Sequence, residues 1–184
     1  MLNFIKKINQ TLLLALTGLA FWFSIMQYTF SVVAMTVEFS GGNYTSMIVG
    51  VSVITALFSA FMAKLLVHVT FRIVGGIFTK KSGMLYPFPI HYGEFGNVVL
   101  FFSVLCFAIC GIVNLPLLYF PGLSNVIGAI RNLITWLFLL LGANFFLKHY
   151  SHDYDRKALA VSLSVIPFVL IGLTTVLTIW RALV

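Results

Sequence analysis

Five long apolar stretches, separated by short polar segments, fill most of the chain, and each reaches the roughly 18 residues that mark a transmembrane helix. They run over 11–36, 44–72, 97–115, 126–147 and 158–180. The pattern predicts an all-α, polytopic integral membrane protein: a single membrane domain over 1–184, built as a bundle of five transmembrane helices.

The connections refine this picture. Met1–Gln10 sets Leu2, Phe4, Ile5 and Ile8 among Asn3, Lys6, Lys7 and Gln10, a pattern suited to a short interfacial segment before the first span. Glu38–Asn43 is a polar turn with two glycines, short enough to make the first two spans antiparallel neighbours. Ser46 with Gly50, and Ala56 with Ala60, place small residues one turn apart, which allows close helix approach. The second span runs into Lys64, His68 and Arg72, which share a helix face, and Gly75-Gly76 then reads as a helix end. The segment from Gly75 to Gly96 is expected to be a loop grazing the membrane, because Pro87 and Pro89 exclude regular helix while several large apolar residues accompany them. Pro116 should end the third span and Pro167 should kink the fifth.

Composition agrees with a membrane setting. The chain is 61% hydrophobic and 8% charged, against about 25% charged for soluble domains. Its net charge of +7 invites a nucleic-acid reading, but the basic residues flank apolar runs and form no separate soluble patch. Positive-inside placement accounts for them instead. Five spans put Lys6, Lys7, Lys64, Arg72, Lys80, Lys81, Lys148, Arg156 and Lys157 on one side, and only Arg131 and Arg181 on the other. This predicts a cytosolic N-terminus, an extracytoplasmic C-terminus and residence in a bacterial cell membrane.

Chemistry-bearing residues are few. Lys64, His68 and Arg72, with Lys80 and Lys81 beyond them, suit contact with an anionic lipid head group or a phosphate. No Walker-type lysine and serine follow the glycines at the required spacing. His149, His152, Asp153 and Asp155 match no metal-ligand spacing. Cys106 and Cys110 lie one helical turn apart inside an apolar run and read as buried small residues. Glu94 is expected to pair with Arg72 or Lys80. No nucleophile–base pair, carboxylate pair or cofactor fingerprint is present in the sequence, so neither an enzyme nor a cofactor is expected.

Leu65-Leu66-Val67-His68, then Phe71-Arg72-Ile73-Val74-Gly75-Gly76 and the Ser82-Gly83 break, resemble the span-to-loop junction of bacterial members of the Yip family. These are five-span relatives of the Ypt/Rab-interacting membrane proteins. Trp136–Gly142, the polar loop after it, and Arg156-Lys157-Ala158-Leu159 opening a proline-containing last span are similar too. The resemblance covers roughly residues 60–180 and implies a five-span protein with a cytosolic N-terminus. The eukaryotic members carry a long soluble N-terminal region that this sequence lacks, so the resemblance implies the architecture and not GTPase binding. The expected function is membrane organisation or adaptor work through helix and lipid contacts, with a membrane-protein partner or a second copy of the chain. The alternative is a small transporter, or a transporter's membrane subunit, with a pathway lined by Arg131, Asn144 and the Pro167 kink.

Overall fold

A computed structural model describes residues 2–37, 45–83, 88–151 and 155–183. Six α-helices follow in order: α1 Leu2–Lys7, α2 Gln10–Val37, α3 Thr45–Ser82, α4 Tyr92–Asn114, α5 Ser124–Tyr150 and α6 Arg156–Leu183. Two 3₁₀ turns, Leu115–Leu118 and Pro121–Leu123, join α4 to α5, and no strand occurs among the described residues. Helices α2 to α6 are each long and apolar enough to cross a bilayer.

Local chemistry sets the helix ends. Asn9 separates α1 from α2, its Oδ1 accepting the Thr11 N–H at 2.8 Å as an N-cap. Asp155 does the same for α6, accepting from the N–H groups of Lys157 at 2.9 Å and Ala158 at 3.3 Å. Asn114 ends α4 two residues before Pro116, which falls inside the following 3₁₀ turn. Helix α6 runs unbroken through Pro167.

The second span differs most from expectation. Gly75-Gly76 does not break it, and α3 continues to Ser82. The stop is Gly83, whose φ of +63° is the left-handed conformation that closes a helix. Gly75 serves close packing instead: a Cβ there would lie 3.4 Å from the Phe88 Cβ. At 38 residues α3 is about 57 Å long, nearly twice the hydrocarbon core. The expected loop shrinks accordingly to the residues between Gly83 and Tyr92, with 84–87 outside the described residues. The turn Glu38–Asn43 and the side chain of Ser46 also lie outside them.

Helices α2, α3, α6, α5 and α4 touch in that order and close into a ring, with α3 also reaching α4 and α1 resting on α4. On α2, a Cβ at Gly18 would sit 3.3 Å from the Ala60 Cβ and 3.5 Å from the Ala56 carbonyl. The Ala56/Ala60 pair therefore does what its spacing implies, whereas Gly50 has open space around it. Gly111 of α4 lies flat beneath the Phe23 ring, where a Cβ would overlap it.

The core is thickest where α3, α4 and α5 meet. Phe95 is 1% exposed, stacks on Phe146 at 5.2 Å, and meets Phe71 and Phe88 edge-on at 5.5 and 6.0 Å. Phe78, Val74, Ile90 and Ile5 are buried in the same cluster. The last turns of α3 thus fold into a small cap with α1 and the chain preceding α4.

Candidate functional site

The cap carries most of the described charge and is called the basic end below. Two amide side chains fix its frame. Asn97 Nδ2 donates to the carbonyls of Ile5 at 3.2 Å and Ile8 at 3.0 Å, clamping the α1–α2 break to α4. One helix length away, Asn114 Nδ2 donates to the Ser24 carbonyl at 2.9 Å. Together the two amides set the register of α4 on α2.

Glu94 does not take Arg72 or Lys80 as its partner. Lys6 Nζ approaches its carboxylate at 2.9 Å, and the Tyr150 hydroxyl donates to it at 3.0 Å. Lys6 also sits 5.6 Å above the centre of the Tyr150 ring. The reason is positional: α1 rests against the start of α4, while the unbroken α3 carries Lys80 past that level. Nothing in the spacing of three residues so distant in sequence would have shown this contact.

Lys64, His68, Arg72, Lys80 and Lys81 are all exposed along α3. His68 is turned toward α4, with its ring edge-on to Tyr92 at 5.6 Å. Among the described residues Lys64, Arg72, Lys80 and Lys81 make no ion pair. An unbroken helix spreads them out. Lys64 to Arg72 covers about 12 Å, and Lys80 lies about 12 Å further along. Each four-residue step also drifts about 40° around the axis, so Lys80 points about 160° away from Lys64. The five form a rising, turning band and not one compact cluster.

The remaining candidates are scattered. His149 stacks on Phe145 at 4.2 Å, and its Nδ1 lies 3.0 Å from the Phe145 carbonyl. His152 and Asp153 are outside the described residues, and Asp155 is occupied as the α6 cap. Cys106 and Cys110 are free and buried. The Cys106 thiol lies 3.9 Å from Thr135 Oγ1, which donates to the Arg131 carbonyl at 2.9 Å.

A feature absent from the sequence reading lies inside the ring: an apolar cavity of about 580 Å³ lined by all five long helices. Pro167 borders it, but Arg131 and Asn144 do not, so the three are not brought to one pathway.

Fold and charge distribution define an all-α polytopic membrane protein. The chain matches no protein-family model, no curated protein and no solved structure.

Proposed function

We propose that the protein is a Yip-like, non-enzymatic membrane-organising or adaptor protein of the bacterial cell membrane, and that the α3 band recruits anionic lipid. The observation that carries this reading is the state of the charges at the basic end. Both described acids there are engaged, Glu94 by Lys6 and Tyr150 and Asp155 by the start of α6. Lys64, Arg72, Lys80 and Lys81 stay exposed and without an ion pair among the described residues. Cations left in this way at a membrane face are matched by phosphate head groups. The adaptor reading is preferred to a small transporter because no charged side chain lines the central cavity.

Each basic residue near an anionic surface contributes on the order of 1 kcal/mol. The double variant Lys64→Gln/Arg72→Gln is expected to hold anionic lipid about thirtyfold less tightly, roughly 2 kcal/mol. Native mass spectrometry of lipid retained by the wild type and the variant measures this. Equal retention would reduce the band to snorkelling side chains.

The same proposal places the basic end in the cytosol and the C-terminus outside it. Reporter fusions at Ser151 and after Val184 should read cytosolic and extracytoplasmic respectively. A cytosolic reading at both would remove one membrane crossing.

A further inference from the structure

We infer that the cavity enclosed by α2 to α6 is a binding site for one hydrocarbon chain of a membrane lipid, acyl or isoprenoid. The enclosing surface comes first. Its lining includes no charged residue. Its hydroxyls are largely spent on their own helices: Thr17 donates to the Leu13 carbonyl, Thr55 to Val51, Ser59 to Ala56, Ser103 to Val99 and Thr135 to Arg131. A water molecule needs two to four polar partners to settle in a buried site, and this wall offers few that are uncommitted.

Leaving the space empty is no better. A void strips the side chains around it of dispersion partners along its whole length. At about 580 Å³ the cavity lies in the size range of small-molecule sites, roughly 300–1,000 Å³. What fills it has to be apolar, and a bilayer supplies hydrocarbon in abundance.

Shape favours a chain over a helix from another protein. The lining extends from Phe95 to Phe107 along α4, about 18 Å, and from Thr55 to Val74 along α3, about 28 Å. One leaflet of hydrocarbon is about 15 Å deep. A single extended chain fits that depth. The five helices touch their neighbours all the way around, so an entering helix would have to break two contacts of the ring, whereas a chain needs only a gap between side chains. At the basic end Phe95 and Phe146 border the cavity and are stacked on each other, which stops a chain at a defined depth.

The test uses the full-length protein in phosphatidylcholine vesicles. One preparation contains a phosphatidylcholine with a diazirine at the end of an acyl chain, and the other a polyprenyl diazirine of similar length. After irradiation, peptide mass spectrometry compares Phe138 and Leu139, which line the cavity, with Leu133, Leu137 and Leu140, exposed on the outer face of the same helix. Labelling of the inner pair above the outer three is expected, and the probe that gives it identifies the source of the chain. Filling the cavity with Ala63→Phe or Gly142→Leu should lower inner labelling roughly tenfold, the scale of overpacking a filled site, while leaving outer labelling alone. Thermal melting in detergent shows which variant is folded, and the wild-type ratio stands without either. The neutral head group separates this site from the basic band, so Lys64→Gln/Arg72→Gln should label normally. Inner labelling no higher than outer with both probes, or an inner cross-link to a second polypeptide, would overturn the inference.

Discussion

Phe95→Ala is expected to destabilise the protein by about 3 kcal/mol or more, within the range for deleting a buried phenylalanine. Two contributions are involved, and the membrane changes their balance. Within lipid, transfer from water drops out, since the acyl chains are as apolar as the side chains. Loss of packing does not. Phe95 has ring partners on three sides, in Phe71, Phe88 and Phe146, at separations where aromatic pairs attract. Alanine would leave a hole joined to the central cavity, which Phe95 already borders. Thermal unfolding in detergent gives the measurement, with Leu137→Ala as the comparison. Leu137 is 55% exposed on α5, so its truncation should cost less than about 1 kcal/mol. Similar losses at the two sites would mean that the aromatic cluster does not hold the basic end together.

The second large effect is expected at Asn97. Leucine has nearly the same shape but donates nothing, so Asn97→Leu leaves the Ile5 and Ile8 carbonyls without their side-chain partner. A buried polar group deprived of its partner costs about 1–3 kcal/mol, so a total loss near 2–3 kcal/mol is expected. The signature should be local as well as global. Amide exchange over Leu2–Lys7 should quicken well before the rest of the protein responds, because α1 rests on α4 through this clamp. Unchanged exchange in α1 would show that Ile5 packing alone holds the segment.

Much of the architecture was legible in the apolar runs, since each had to contain its own backbone hydrogen bonds to exist in lipid. The Ala56/Ala60 contact was legible for a related reason, because small residues one turn apart leave room for a neighbour. Gly75-Gly76 misled for the converse reason. Glycine marks a helix end only where φ is positive, and that condition is met at Gly83. The central cavity was not legible at all. A membrane helix faces apolar surroundings on both sides, so Phe138 and Leu137, one turned inward and the other outward, look alike in sequence. The Lys6–Glu94 pair escaped because it depends on which helix ends come together, which hydropathy does not encode.

The Lys6–Glu94–Tyr150 contact also bears on the order in which the molecule is assembled. A chain is synthesised from its N-terminus. Gly18 can therefore meet Ala56 and Ala60 as soon as the first hairpin has been inserted. Lys6 must wait for Glu94, and the hydroxyl that completes the group arrives only with the end of α5. The N-terminal segment is thus the first part made and among the last to be secured, and a ribosome stalled before Tyr150 would leave it untethered at the bilayer surface.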